Sequence, residues 1–113
     1  MKSLSIAVLL VLSWVGASPA ASVSSSGRLK AEQVCQACHG PGGNSATDQF
    51  PRLAGQREAY LVSALRAYRA GLRNDATMRP QAERLTDEEI ADLAAYYGAR
   101  TGLTTRRATW CGG

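Results

Sequence analysis

Cys35-Gln36-Ala37-Cys38-His39 brings two thiols and an imidazole into five consecutive residues, using two of the chain's three cysteines and its single histidine. On a helix, Cys35 and Cys38 stand three residues apart on one face, and His39 follows Cys35 by four. Two thiols so placed can add to the two vinyl groups of one porphyrin while the imidazole reaches its iron. That is the chemistry of a Cys-x-x-Cys-His attachment segment for haem c. A thioredoxin-like redox pair would need a preceding strand and a βαβ setting, which the sequence does not offer. A zinc site could recruit Cys35, Cys38, His39 and the distant Cys111. Adjacent Cys38 and His39 would then have to share one metal, whereas zinc ligand pairs are usually spaced. One covalent haem c, bound through Cys35 and Cys38, is therefore the expected cofactor.

A haem held by histidine and methionine needs one of each. Beyond the first residue, Met78 is the only methionine. Methionine more often fills gaps in a core, but beside the attachment segment Met78 becomes the expected partner of His39 on the iron. Pro51 lies twelve residues after His39, far enough for a loop to turn back. Its carbonyl can accept a hydrogen bond, and a metal-bound histidine commonly gives its second ring N–H to such a carbonyl. Leu53 could then press on the porphyrin face. On composition alone, an ordinary turn burying Phe50 and Leu53 competes with that reading.

These groups need elements to position them. Met1-Lys2, an apolar run from Leu4 to Val15 and the small residues Ser18-Pro19-Ala20 have the layout of a secretory leader cut after Ala20. The apolar run is shorter than the roughly 18 residues of a spanning helix, so no stable membrane insertion is expected after cleavage. Residues 21–100 are expected to form one small domain and 101–113 a tail of unreadable structure. Residues 21–26 read as a flexible start, followed by a helix from about Gly27 to Cys38. A long loop from Gly40 to Gly55 would wrap one side of the cofactor.

A second helix is expected from about Gln56 to Ala70, because Leu61, Ala64, Leu65 and Tyr68 recur at i, i+3, i+4 and i+7. A loop from Leu72 to Leu85 carries Met78. Thr86 with Glu89 forms a capping box that opens a last helix, whose buried face is Ile90, Leu93, Ala94 and Tyr97. No alternating run appears. The fold class is all-α, with three main helices and long loops around one haem. A core this small is marginal by itself, so the apo-protein should be poorly folded.

The residues Cys35-x-x-Cys38-His39, Gly40, Gly43, Phe50-Pro51-x-Leu53-Ala54-Gly55-Gln56, Tyr60-Leu61, Leu85-x-Asp87 and Ile90 to Tyr96 resemble a class I c-type cytochrome. More narrowly, they are similar to the small bacterial c-553 type and to single halves of the related di-haem carriers, over about Gly27 to Tyr97. The resemblance implies thioether attachment at Cys35 and Cys38, and axial ligation by His39 and Met78. Met78 also stands seven residues before Leu85, the family's spacing. Pro51 is implied to accept the His39 ring proton, and the first and last helices to cross near Gly27 and Tyr96 or Tyr97. Ala31 departs from the bulky aromatic that many relatives carry. Cys111 matches nothing in the pattern and reads as a free thiol or an intermolecular bridge.

The chain carries a formal charge of +4, with eleven arginines. That is too weak to argue for nucleic acid, but it could favour acidic partners or anionic surfaces. Arg57, Arg66, Arg69 and Arg73 read first as a solvated helix face, with Arg52 and Arg79 better placed for a haem propionate or a partner. Tyr60, Tyr68, Tyr96 and Tyr97 read as mostly core by spacing, though a hydroxyl could reach a haem propionate. The expected function is a periplasmic one-electron carrier, not an enzyme, that docks transiently on redox proteins. Two alternatives remain: the haem subunit of a larger oxidoreductase, and a ligand-binding haem enzyme or sensor with a displaceable Met78.

Overall fold

The computed structural model describes residues 19–102. The expected leader up to residue 18 and the tail with Cys111 lie outside them. Helix α1 runs Pro19–Lys30 and continues through a π-helical turn, Ala31–Cys35, into α2, Gln36–His39. The start expected to be flexible at 21–26 is therefore helical. Pro19 takes the first helical position, where a missing N–H costs nothing, and no glycine or proline interrupts the chain before Gly27.

The π-turn was not expected. The Gln36 N–H reaches back to the Ala31 carbonyl, a five-residue step that turns the following residues relative to α1. The Cys35–His39 segment sits at the end of this device. Ala31, the small residue that departs from the resemblance, is only 2% exposed.

Helix α3 spans Glu58–Arg69, α4 Met78–Ala82 and α5 Asp87–Gly98. The segment around Met78 is thus a short helix and not the expected loop. Asp75 explains it: its Oδ1 accepts from the N–H groups of Thr77 and Met78 at 2.9 and 2.8 Å, satisfying two donors at the helix start. Pro80 falls in the first turn, where no intrahelical N–H bond is lost.

Helix α5 begins at the capping box as expected. Glu89 N–H donates to Thr86 Oγ1 at 3.1 Å, and Thr86 N–H donates to Glu89 Oε2 at 3.0 Å. Two ion pairs tie other elements to this end. Lys30, at the close of α1, meets Glu89 at 2.7 Å. Arg69, at the close of α3, meets Asp87 and also donates to the Leu85 carbonyl at 3.1 Å.

Helix α5 packs against both α1 and α3, and α4 lies on α3. α1 crosses α5 where Gly27 abuts the Asp92 backbone and Tyr96, close to the crossing implied by the resemblance. The core gathers Ala31, Leu61, Leu85, Ile90, Leu93, Ala94 and the edge-to-face pair Tyr96–Tyr97, with ring centroids 5.1 Å apart. Three of the tyrosines fit the core expectation to different degrees, with Tyr96 and Tyr97 buried and Tyr68 half-buried. Tyr60 does not, being 49% exposed. Among the described residues there is no strand, and no helix is long and apolar enough to cross a membrane.

Candidate functional site

His39 is buried, at 5% exposure, at the end of α2. Its Nδ1 lies 2.8 Å from the Pro51 carbonyl oxygen. A carbonyl only accepts, so Nδ1 carries the hydrogen and Nε2 is the nitrogen left to offer a lone pair. The ring also meets Phe50 edge-on, with centroids 6.4 Å apart.

The loop that presents Pro51 is stitched in place by backbone bonds. Leu53 and Ala54 both donate to the Gly43 carbonyl, at 2.9 and 3.2 Å, and Gly55 donates to the Tyr97 carbonyl at 2.9 Å. Gly43 makes this possible at a φ of 80°, a conformation that side chains resist. A Cβ there would lie 2.7 Å from the Tyr97 ring.

A cleft of about 160 Å³ opens between the π-turn, this loop, α3, α4 and α5. Its walls are apolar, with Leu53, Leu61, Leu65, Leu85, Leu93 and Ala94 among them. The α3 stripe at Leu61, Ala64, Leu65 and Tyr68 therefore lines the cleft as well as touching the core.

Of the six residues the sequence singles out, Cys35, His39, Pro51, Leu53 and Met78 all line this one cleft. Cys38 does not line it and is exposed. Cys35 is half-buried, and burial pushes its thiol pKa up, partly opposed by a hydrogen bond with Tyr97. Burial likewise raises the pKa of the Tyr97 hydroxyl. Among the described residues no three His, Cys, Asp or Glu side chains converge as a metal cluster.

The arginines divide sharply. Arg66 and Arg69 are paired with Asp87, as the solvated-face reading of that helix allows. Arg79 pairs with Glu83 at 2.8 Å and does not line the cleft, although it adjoins Met78. Arg52 and Arg73 do line it. Arg73 donates to Tyr60 Oη at 3.3 Å and lies 4.7 Å over the Tyr68 ring.

Tyr60 is thus a cleft residue and not a core one. A signal for it exists in the sequence, since Tyr60, Ala64 and Tyr68 repeat at four-residue spacing along the cleft side of α3. Arg73 lies beyond that helix, and no periodicity reaches it.

The donors suit one group. A histidine and a methionine line one mostly apolar cleft, with a cysteine thiol beside them, and these donors fit the ligand set of a His/Met haem. The fold and site define a small α-helical protein built around a covalently tethered haem. A family model described as Cytochrome c matches residues 25–97, and the chain belongs to the cytochrome c family, whose paired cysteines bind haem c covalently. Here that pair is Cys35 and Cys38.

Three relatives place it further. It is 39% identical over 100 residues to cytochrome c4 of Pseudomonas aeruginosa, covering 88% of this chain and 49% of that protein. It is 48% identical over 70 residues to cytochrome c-554(548) of Halomonas halodenitrificans, covering 59% of this chain and 84% of that one. The solved cytochrome c4 of Acidithiobacillus ferrooxidans superposes with a TM-score of 0.60 at 32% identity, over 71% of this chain and 49% of that one. The chain spans about half the length of the cytochrome c4 relatives.

Proposed function

We propose that this protein is a one-electron carrier in which His39, through Nε2, and Met78, through its sulfur, would hold the haem iron. The observation that carries this reading is that His39 and Met78, 39 residues apart in sequence, line the same apolar cleft beside Cys35. When bound, the haem supplies exchange of one electron between the ferric and ferrous states. The protein's residues do the rest. Pro51 holds the Nδ1 hydrogen and so fixes the imidazole plane. Met78 would supply a soft thioether, which favours the ferrous state and a higher potential. Leu53, Leu61 and Leu93, all on the cleft wall, would keep water from the porphyrin.

Ligation by both His39 and Met78 would leave the iron no open position for a substrate, in keeping with a carrier and not an enzyme. The leader-like layout of residues 1–20 supports a periplasmic location, with redox partners that dock transiently through a small interface. A second reading is that the domain is the haem-bearing subunit of a larger oxidoreductase. Stable co-purification with a catalytic subunit would favour it over a diffusing shuttle.

The test is an optical one, on protein expressed with its leader. Haem that resists acid–acetone extraction, a pyridine haemochrome of c type, and a weak near-infrared sulfur-to-iron band in the oxidised form are expected. Covalent haem without that band, and with rapid carbon monoxide binding when reduced, would move the reading to a sensor or enzyme.

A further inference from the structure

We propose that Asp75 is a positioning residue for Met78, a backbone clamp that holds the methionine at the cleft. This rests on the reading of Met78 as an iron ligand and deepens it. Three successive N–H groups centred on Met78 all end on this one residue. The Asp75 side-chain Oδ1 accepts from Thr77 at 2.9 Å and from Met78 at 2.8 Å. Its main-chain carbonyl accepts from Arg79 at 3.0 Å. Met78, so bracketed, lines the cleft.

Burial does not fix this end of α4. Residues 71–77 are exposed and Met78 is half-buried, whereas Ala82, at the far end of the helix, is fully enclosed. Packing therefore pins the C-terminal end of α4 and leaves the Met78 end to hydrogen bonds. A helix of five residues does not sustain its own first turn, because nucleating a turn is unfavourable. An aspartate that accepts from the N–H groups two and three positions on supplies the partners such a turn lacks. The neighbouring arginines serve other contacts. Arg73 is held by Tyr60 and Tyr68 ahead of the clamp, and Arg79 pairs with Glu83 within α4.

With the clamp in place, a Met78 that leaves the iron is kept beside it and returns. Without the clamp the first turn of α4 loosens, and Met78 spends more of its time detached. Carbon monoxide uptake by the reduced protein reports this directly, since it proceeds only while Met78 is away.

The test measures that uptake rate in holoproteins carrying Asp75→Ala, Asp75→Asn, Asp75→Glu and Thr86→Ala, each first checked for covalent haem and for the near-infrared sulfur-to-iron band. Asparagine keeps an acceptor oxygen at the same reach and loses the charge; as a cap it equals aspartate. Glutamate keeps the charge and carries its oxygens one carbon too far. Thr86→Ala removes a cap from α5, away from the methionine, and reports a general loss of stability. Asp75→Ala and Asp75→Glu are expected to take up carbon monoxide about fivefold faster than wild type, the population change that loss of a helix cap brings. Asp75→Asn and Thr86→Ala should stay near the wild-type rate.

An Asp75→Ala protein no faster than Thr86→Ala would overturn the proposal. So would an Asp75→Asn protein as fast as Asp75→Ala, since charge and not the acceptor would then govern Met78. If Asp75→Ala fails to fold, Asp75→Glu against Asp75→Asn decides the matter alone. A wild-type protein without the sulfur-to-iron band would instead sink the ligation reading itself, a failure visible before any variant is compared.

Discussion

The crossing of α1 over α5 yields a sharp prediction, because the two helices touch backbone to backbone at Gly27. A methyl group placed on Gly27 would lie 2.1 Å from the Asp92 carbonyl oxygen, 2.7 Å from its carbon and 2.9 Å from Tyr96 Cβ. Ordinary contact begins near 3.4 Å, and none of these atoms is the far end of a flexible side chain, so one helix must move off the other. Gly27→Ala would by itself favour the helix by about 1 kcal/mol. Forcing apart a packed contact costs about 1–3 kcal/mol and occasionally more. With backbone on the opposing side, the upper part of that range applies, which leaves a net loss of about 2 kcal/mol. For a domain of this size that corresponds to a fall in melting temperature of about 8–16 °C. The assay is thermal unfolding of the holoprotein followed by helical circular dichroism. The sulfur-to-iron band should be retained at low temperature, since the Cys35–His39 segment lies two turns further on. A Gly27→Ala protein that melts at or above the wild-type temperature would refute the close-crossing argument, because propensity would then have outweighed packing.

Three further outcomes are expected. Met78→Ala should abolish the near-infrared sulfur-to-iron band, lower the potential and admit carbon monoxide to the reduced protein; an unchanged spectrum and potential would remove Met78 from the iron. Thr86→Ala dismantles the capping box and should cost about 1 kcal/mol, a fall of about 4–8 °C in the thermal melt, with no change in potential. Arg69 beside Asp87, and Lys30 beside Glu89, hold both carboxyls below their usual range. Their folded pKa values lie below the unfolded ones, so the stabilisation is complete above the unfolded carboxylate range near pH 4 and is lost as pH falls through the depressed values. Melting temperature should therefore decline on the acid side of about pH 4, and Asp87→Asn should flatten part of that decline.

What could be read from the sequence was whatever local chemistry fixes. The attachment segment, the α3 stripe and the Thr86–Glu89 box each depend on residues within eight positions of one another, and the stripe and the box stand where the spacing put them, whereas Cys35 lines the cleft and Cys38 does not. Met78 was legible as a candidate because no other methionine competes with it, but its setting was missed. Asp75 gathers two backbone donors into a short helix, and an aspartate three residues ahead of the site was the available signal. The π-turn at Ala31–Cys35 carries no spacing signature, since widening a helical turn by one residue settles how α1 meets α5 and only packing decides it. The division among the arginines was equally hidden. Arg66 and Arg69 find Asp87 about twenty residues away, while Arg73 finds Tyr60 and Tyr68, and such pairings are properties of the assembled surface.

The bond between His39 and Pro51 has a consequence for how charge crosses this protein. The Pro51 carbonyl can share the Nδ1 hydrogen but has no basicity with which to take it, and the loop carrying it is sewn at Gly43 and at Tyr97. In the proposed carrier this bond would hold the imidazole plane fixed while the haem exchanges an electron. With the acceptor loop anchored at two points, little of it would have to rearrange when the haem changes charge, and in the proposed carrier that small nuclear cost would favour fast exchange.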